Sequence, residues 1–519
     1  MTDRRRIIVI GGGHNGLVAA TDLARAGCDV QLLEAGAQVG GMAATREFAP
    51  GFNVSCCAHL ISLFDTTIAR EFDLERHGLR YARRNLRSVG LGVDKEPLVL
   101  AGDQVVGGEV DDDDRRELRG YLARMGRFAA LLARQHGRTP PRLAFGSLGE
   151  AAPAAKLGLD LRRLGRREMR EFLRIVTMNI HDLLNERFRS EALKGMLAFE
   201  GVIGARLGPR SGNSVFNALH RLGTGDGGAV SYDLPQGGLG ALSLALAAAA
   251  SAAGVRIQCD AVVSEITMHD GRAAGVRLAS GEEVRADAVL STADARTTLL
   301  ELLGPRHLEI EFTRRVQHTR GQGMAAKLHL ALADLPRFTG LPEAEVGERL
   351  LIAPDMDYIE RAFNPAKYGE FSAEPVMEIN IPTVHDRTLA PEGRHVLSAI
   401  VQYAPHDLAG GWNERRDAFR ERLIDVLERY APGLRGLVVA SEVVSAADLA
   451  TRHRNSGGHW HHLELSLDQW LMLRPVYGAA QYATPVAGLY LGGAGTHPGG
   501  GLMGHAGRNA ARALIEDAA

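Results

Sequence analysis

Residues 6–16 read RIIVIGGGHNG, a short apolar, β-branched run followed directly by three glycines. The run predicts a buried parallel strand, and the helical spacing of Leu17–Ala26 before Gly27 predicts a helix with a glycine just beyond its end. Asp29–Leu33 predicts a second strand. Together these segments form one βαβ unit, so the sequence predicts an α/β fold.

The glycines of this turn have the GxGxxG spacing of a dinucleotide-binding fingerprint. Gly11 permits the tight turn, Gly13 lets the backbone approach a pyrophosphate, and Gly16 lets the helix and strand pack closely. The helix begins near His14 and Asn15, where unpaired N–H groups would face the phosphates. Glycine is abundant in this chain, so the fingerprint is specific only because a strand precedes it and a helix follows it.

Two features after the second strand indicate which dinucleotide is bound. Glu34 ends that strand, where a carboxylate should hydrogen-bond the adenosine ribose. Gly40 and Gly41 follow, and a glycine doublet at this point is typical of FAD proteins, because the longer cofactor must run past this loop. The sequence therefore predicts non-covalently bound FAD.

Residues 489–511, LYLGGAGTHPGGGLMGHAGRNAA, form a second glycine-rich cluster. They predict a strand, a loop and a helix N-terminus that can approach the ribityl chain and the pyrimidine end of a flavin. The positive end of such a helix favours the electron-rich reduced flavin. We expect the two glycine clusters, from opposite ends of the chain, to meet around one cofactor.

Composition and charge argue against several other functions. The net charge of -2 and the pI near 6.8 give no electrostatic case for binding nucleic acid. No window approaches the roughly 18 apolar residues of a membrane span, and Ile7–Ile10 is too short for the apolar core of a signal peptide. The four cysteines lack CxxC or metal-ligand spacing. We expect a cytoplasmic protein; peripheral membrane contact and the oligomeric state stay open.

The pattern along the chain predicts two interleaved domains. A Rossmann-like FAD-binding domain, with three layers, a parallel sheet and a β-meander, is assigned to residues 1–75, 226–300 and 476–519. A mixed α+β substrate domain is assigned to a helical part, 76–225, and a sheet part, 301–475. Candidate helices within the helical part are 114–136, 166–186 and 190–200. Candidate strands of the second FAD segment are 255–259, 261–268, 272–278 and 283–290.

Several motifs resemble one family. GGGHNGLVAA near the start and GAGTHPGGG near the end resemble the carotenoid- and retinoid-related FAD oxidoreductases, the phytoene desaturase-like proteins. REFLRIVTMNIHDLLNERF, PQGGLGALSLALA, NSGGHWHHLELSLDQ and LRPVYG are similar to the branch called pyridine nucleotide-disulfide oxidoreductase domain-containing protein 2. The resemblance covers nearly the whole chain.

The resemblance implies further cofactor contacts. Val263 would touch the adenine through its backbone, Gly495 and Thr496 would lie against the ribityl–pyrophosphate stretch, and Gly504 would lie near the flavin ring. The chain has no redox CxxC and only one complete dinucleotide fingerprint. A second domain for NAD(P)H is therefore not expected.

Histidines are the first candidates for acid–base work, because imidazole titrates near neutrality. His505, in GLMGHAG, and His59, on a segment expected near the flavin, are candidate catalytic residues, although a helix-capping role stays open for His505. His459 and His461 are candidates for the substrate pocket, and so is Tyr232, for which packing in the core is the alternative. The HWHH stretch lacks a matching carboxylate or cysteine, so no metal site is predicted.

The leading hypothesis is an FAD-dependent dehydrogenase, desaturase or oxidase that acts on a C–H bond of a hydrophobic or conjugated small molecule. Its electrons would pass to oxygen, a quinone or another acceptor. A redox-neutral flavin-dependent isomerase is an alternative. A second alternative is a non-catalytic binding protein like the Rab GDP-dissociation inhibitors, which share this architecture, but the intact fingerprint argues against it.

Overall fold

The first strand of the chain lies at the centre of a parallel sheet in a computed structural model, which describes residues 4–93, 95–142, 148–223 and 230–518. The predicted boundary between 76–225 and 226–300 falls outside these described residues.

The strands of the described residues, in chain order, are β1 (Arg6–Ile10), β2 (Asp29–Leu33), β3 (Thr45–Ala49), β4 (Phe52–Ser55), β5 (Tyr81–Arg83), β6 (Ser88–Gly90), β7 (Leu98–Ala101), β8 (Gln104–Gly107), β9 (Leu234–Pro235), β10 (Arg256–Gln258), β11 (Val263–His269), β12 (Arg272–Leu278), β13 (Glu283–Arg285), β14 (Ala288–Ser291), β15 (Ala325–Leu332), β16 (Arg349–Ile352), β17 (Val376–Asn380), β18 (His395–Gln402), β19 (Val438–Val444) and β20 (Leu489–Leu491).

The α-helices of the described residues are α1 (His14–Arg25), α2 (Thr66–Glu71), α3 (Asp112–His136), α4 (Leu148–Arg163), α5 (Arg166–Ile175), α6 (Ile180–Asn185), α7 (Glu191–Val202), α8 (Ser214–Leu222), α9 (Gly240–Ala252), α10 (Ile310–Gln317), α11 (Met356–Ala366), α12 (Trp412–Tyr430), α13 (Leu434–Leu437), α14 (Ala446–His453) and α15 (His505–Glu516). Within these ranges, no helix combines the length and the apolar content that a bilayer span requires.

The parallel sheet is the middle of three layers. Its described strands run in the order β10, β2, β1, β14 and β20. Helices α1, α9 and α15 pack on one face, and the meander β11–β12–β13 covers the other. Ile7 and Val9 belong to the helix-side core, whereas Ile8 and Ile10 belong to the meander-side core. Because both faces of β1 are buried, its sequence is apolar without alternation, and the predicted fold class is confirmed.

A second, mixed sheet forms the other half of the molecule. Its described strands run in the order β19, β15, β18, β17, β16, β6, β7 and β8. Strand β6 pairs in parallel with β16, and the other neighbours are antiparallel. The part 76–225 is therefore not only helical, because strands β6–β8 near its start extend this sheet. These strands were not predicted because three or four residues are too few to show a strand periodicity.

Two predicted elements are each divided in the structure. The sequence predicts one helix over 166–186, but α5 ends and α6 begins after Asn179, whose side chain accepts the N–H of Asp182 at 2.8 Å. This N-terminal cap starts a new helix. The predicted strand 283–290 forms β13 in the meander and β14 in the parallel sheet, because the chain crosses between sheets at Ala286 and Asp287.

Helix α15 brings the end of the chain against its beginning. A Cβ atom added at Gly507 would lie 1.9 Å from the carbonyl oxygen of Asn15, so the backbones of α15 and α1 are in direct contact there. Glycine is thus a steric requirement of the packing between these helices.

We expect Gly507→Ala to lower the free energy of unfolding by about 3 kcal/mol, because the added methyl must push the two helices apart. Gly120→Ala is the control, since an added Cβ at this exposed position in α3 meets nothing within 4 Å. It should be neutral or stabilise by up to about 1 kcal/mol. Urea unfolding measures both changes, and equal effects would contradict the close contact.

Candidate functional site

A cavity of about 960 Å³ lies between the two sheets and is the main candidate site in the described part of the chain. At one end it is lined by the glycine turn after β1. Towards the second sheet it is lined by side chains that include Glu378 on β17 and Ile400 on β18. Ligand sites commonly occupy such a position between two structural bodies.

The glycine turn of the fingerprint is packed as the sequence predicts. Gly11 has φ +98°, and a Cβ added there would lie 2.5 Å from Oγ1 of Thr292. A Cβ at Gly16 would lie 1.9 Å from the carbonyl oxygen of Gly11. At Gly13, by contrast, an added Cβ meets no atom within 4 Å. The turn is therefore tight on its protein side and open on its cavity side.

The N-terminus of α1 offers unpaired hydrogen-bond donors to this cavity. Gly13 is the N-cap residue, no side chain caps the helix, and the first turn has no acidic residue. His14 and Asn15 line the cavity, and Oδ1 of the buried Asn15 has no hydrogen-bond partner. Burial, with the nearby His462, lowers the pKa of His14 to about 4. The uncapped helix end suits a phosphate group, and the unpaired Asn15 oxygen can accept a hydrogen bond from a hydroxyl or N–H of the same ligand.

Glu34 is held at the end of β2 by two backbone groups. Its Oε2 accepts the N–H of Gly12 at 2.6 Å, and its Oε1 accepts the N–H of Gly36 at 2.7 Å. A carboxylate has about four acceptor sites, so both oxygens can still accept ribose hydroxyls. Glu34, Gly41 and Val263 all line the cavity.

The C-terminal loop contributes a second side to the same cavity. Ala494, Gly501 and Leu502 line it. Gly495, Thr496 and Gly504, which the resemblance implies as contacts, are not among the lining residues; Oγ1 of Thr496 instead donates to the carbonyl of Gly493 at 2.8 Å. Gly504 has φ +81° and precedes α15 as its N-cap residue.

Arg474, which the sequence analysis did not identify, binds the backbone carbonyls of this loop on the side away from the cavity. Its side chain is fully buried and donates to the carbonyl oxygens of Ala494 at 3.0 Å and Thr496 at 3.3 Å. It also donates to the carbonyl of His461 at 3.1 Å. Burial lowers the pKa of its guanidinium to about 9. The sequence signal that could have identified this residue is the arginine of the motif LRPVYG, which is Arg474.

The predicted histidines have different surroundings. His505 does not line the cavity; its Nε2 lies 3.1 Å from Oδ2 of Asp65. His461 lines the cavity, and His459 lies behind it, with Nδ1 accepting the N–H of His461 at 3.1 Å. Among the described residues, no group of three or more His, Cys, Asp or Glu side chains could hold a metal ion.

His59 lines the cavity, but both of its ring nitrogens have partners. Nε2 lies 2.8 Å from Oε1 of Glu378, and Nδ1 lies 3.0 Å from Nζ of Lys327. Since a carboxylate can only accept, Nε2 carries the proton and Nδ1 accepts from the ammonium. Burial, reinforced by Lys327, lowers the pKa of His59 to about 4. The ring therefore has no free lone pair for a substrate proton.

Behind His59, the fully buried Arg349 joins two carboxylates. Its Nε donates to Oε2 of Glu378 at 2.6 Å, and its Nη1 donates to Oε1 of Glu200 at 2.6 Å. Burial alone would raise the pKa of Glu378, but Arg349 and His59 hold it well below its ordinary value. Burial lowers the pKa of Lys327 to about 8, so its amine is mostly protonated at neutral pH.

Tyr232 and Arg221 complete this end of the cavity, and both line it. The Tyr232 hydroxyl donates to Oε1 of Glu200 at 3.1 Å, and Nε of Arg221 donates to Oε2 of Glu200 at 2.8 Å. Arg349 also lies 4.2 Å from the centre of the Tyr232 ring. We call this set the charged cluster: His59, Glu200, Arg221, Tyr232, Lys327, Arg349 and Glu378.

Most of the charged cluster was missed by sequence reasoning. A single charged residue inside an apolar strand indicates a buried charge that must be paired, as for Lys327 in AAKLHLAL and Glu378 in VMEIN. Charged residues are rarely fully buried unless they are paired. Their partners lie far away in the sequence, however, so only the fold identifies the pairs.

The glycine-lined end of the cavity fits FAD. Its cradle opens where a side chain would obstruct a ligand, its helix N-terminus is uncapped, and a buried Asn15 oxygen lacks a partner. The protein-family model described as flavin containing amine oxidoreductase matches residues 16–515. The chain belongs to this family. It is an FAD-dependent oxidoreductase, as the sequence predicts.

Individual relatives agree with this assignment. The pyridine nucleotide-disulfide oxidoreductase domain-containing protein 2 of Mus musculus is 36% identical over 551 residues, covering 98% of this chain and 93% of the relative. The lycopene-forming phytoene desaturase of Pseudescherichia vulneris is 30% identical over 60% of each chain. The structure of a putrescine oxidase covers all of both chains with a TM-score of 0.62 at 18% identity, which establishes the shared fold.

We expect Arg349→Leu to destabilise the protein by about 3–5 kcal/mol at neutral pH, because it leaves two buried carboxylates without their shared cation. In the parent, the stabilisation from the lowered pKa of Glu378 is present above the ordinary value of 4.5 and is lost as the pH falls. The difference between variant and parent should therefore shrink in acid.

Urea unfolding at several pH values measures this effect. Arg420→Leu is the control, because Arg420 pairs with Asp417 at the surface and should cost less than about 1 kcal/mol at any pH. A cost for Arg349→Leu that does not change with pH would contradict the assigned ion pairs.

Proposed function

We propose that this protein is a dehydrogenase or desaturase that removes a hydride from a C–H bond of a hydrophobic or conjugated small molecule. The observation that carries the proposal is the continuous cavity. It joins a dinucleotide cradle at one end to a partly apolar chamber at the other.

The cradle residues would hold the cofactor as follows. The backbone of Gly11 and Gly13 would lie along the pyrophosphate, which the N-terminus of α1 at His14 and Asn15 attracts. Gly16 acts indirectly, because it lets α1 approach the turn. The first turn of α1 has no acidic residue that would repel the phosphates.

The adenosine and flavin portions have separate contacts. Glu34 would accept the ribose hydroxyls and Val263 would lie beside the adenine, while Gly41 lets the cofactor pass. We assign Gly495, Thr496 and Gly504 to shaping the C-terminal loop behind its lining residues, with Arg474 as their support.

The substrate chamber is suited to an apolar molecule. Its wall includes Leu60, Leu63, Ile203, Ile400 and Trp460. Apolar contact of this kind favours a hydrophobic ligand by about 25 cal/mol for each Å² buried, and a filled chamber excludes water from the reacting bond. A desaturase among the relatives supports the same substrate class.

Bound FAD would supply the two-electron oxidant by taking the hydride, and the proton lost as the double bond forms would leave to solvent. The chain orients the substrate and sets the charge around it. We assign His59 to positioning instead of proton transfer, since both ring nitrogens are engaged. Tyr232 and His461 line the chamber and His459 supports His461, whereas His505 is left out of the proposed site. The electron acceptor, oxygen, a quinone or another, and a cytoplasmic location stay predictions.

The test of the reaction uses the FAD-loaded protein without oxygen. A panel of polyenes, monoterpenes and arylalkyl compounds is added one at a time, and we expect at least one to bleach the flavin colour while gaining a double bond. Product that forms only after prior flavin reduction, without net electron transfer, would replace dehydrogenation by isomerisation. Failure to bind FAD would overturn the proposal altogether.

Glu34→Gln tests the cofactor contacts separately. Losing a charged acceptor for the ribose should weaken FAD binding by about tenfold or more. Asp29→Asn, at the other end of β2, is the control because Asp29 pairs with Arg256 at the surface. Titration of apoprotein with FAD, followed by flavin fluorescence, measures both affinities. An unchanged affinity in Glu34→Gln would remove Glu34 from the site.

A further inference from the structure

Burying the charged cluster costs desolvation free energy, so stability alone does not explain why these charges are present. Moving ions out of water costs several kcal/mol for each ion, and well-packed apolar residues often replace buried ion pairs without loss. A chamber wall that served only a hydrocarbon would gain nothing from these charges. Polar groups in an otherwise apolar pocket usually fix the orientation of a ligand.

The cluster carries an excess of positive charge. Its cations are Arg221, Arg349 and Lys327, and they face the two carboxylates Glu200 and Glu378. Arg349 is committed to both carboxylates, through the 2.6 Å contacts of its Nε and Nη1. Arg221 bonds Glu200, and Lys327 contacts His59 instead of a carboxylate, so with Lys327 protonated the cluster has three cations and two carboxylates.

Arg221 is the cation of the cluster that a ligand can reach. It lines the cavity and keeps 20% of its side chain exposed, whereas Arg349 is 1% exposed and does not line the cavity. Tyr232 lies beside it, since both bond the carboxylate of Glu200. The Tyr232 hydroxyl gives its proton to Glu200 and so helps to hold Arg221 in place, whereas the Nη groups of Arg221 can bind a carboxylate through paired N–H donors.

A protonated amine does not suit this end of the cavity, despite the name of the family. Such a ligand needs an available carboxylate, but Glu200 and Glu378 each accept from Arg349 and from at least one further residue of the cluster. Lys327 and Arg221 would also repel it. Like charges at short range are unfavourable in a poorly hydrated site.

We propose that the charged cluster binds a carboxylate group on an otherwise apolar substrate, with Arg221 as its principal partner. This inference rests on the proposed dehydrogenase function and names the substrate class for the same cavity: an unsaturated or aryl-bearing carboxylic acid. The apolar wall receives the hydrocarbon part, and the positive end fixes which C–H bond is presented to the cofactor.

The test compares three probes of one shape on the FAD-loaded protein: cinnamate, cinnamyl alcohol and cinnamylamine. Isothermal titration calorimetry without oxygen measures their binding. We expect cinnamate to bind at least about tenfold more tightly than the alcohol or the amine. Arg221→Gln should remove this preference, and Arg221→Lys should keep part of it because the charge is retained. Arg210→Gln, a surface arginine paired with Asp357, should leave it unchanged.

Two results would overturn the inference: an alcohol or amine that binds as tightly as cinnamate, or a preference that survives Arg221→Gln. If Arg221→Gln does not fold, the preference of the parent for cinnamate and its reduction in Arg221→Lys decide the question. These readouts need no turnover. If the protein prefers cinnamate but no compound bleaches the flavin, the dehydrogenase proposal is wrong and the carboxylate site stands. If a compound bleaches the flavin but cinnamate is not preferred, the carboxylate site is wrong and the dehydrogenase proposal stands.

Discussion

Direct contact between backbones is the constraint on which the dinucleotide end depends. Side chains are absent at Gly11, Gly16 and Gly507 because β1, α1 and α15 approach to within the size of one methyl group. This approach aims the uncapped N-terminus of α1 at the cavity. The C-terminal loop, which precedes α15, is carried to the same place, so the two ends of the chain build one cradle.

The opposite end of the cavity is organised by charge instead of close packing. Arg349 binds two carboxylates that come from different parts of the chain, and each carboxylate fixes a cavity-lining side chain, Glu378 holding His59 and Glu200 holding Arg221. A buried ion is stable only while its partners stay in place. The cluster therefore gives the chamber a rigid, polar end against a mainly apolar wall.

These two ends explain why the family name says little about the substrate. A fold supports many reactions, and the site decides which one occurs. The cradle fits the flavin nucleotide and leaves the substrate undetermined. The charged cluster holds three cations, Arg221, Lys327 and Arg349, against two carboxylates, and from this we infer that an acid is preferred over an amine in this chain.

The sequence alone determined the cradle, since a strand, a glycine turn, a helix and Glu34 are neighbours along the chain and their spacing fixes their geometry. It also predicted β20 and the helix after it. The sequence did not predict that β6–β8 belong to the second sheet, because strands this short are recognised only by the strands with which they pair. It also did not predict which residues His59 contacts. The contacts of His59, with Lys327 and Glu378, are each more than 200 residues away. Only the tertiary structure decided them, because burial and pairing of charge depend on which distant segments meet.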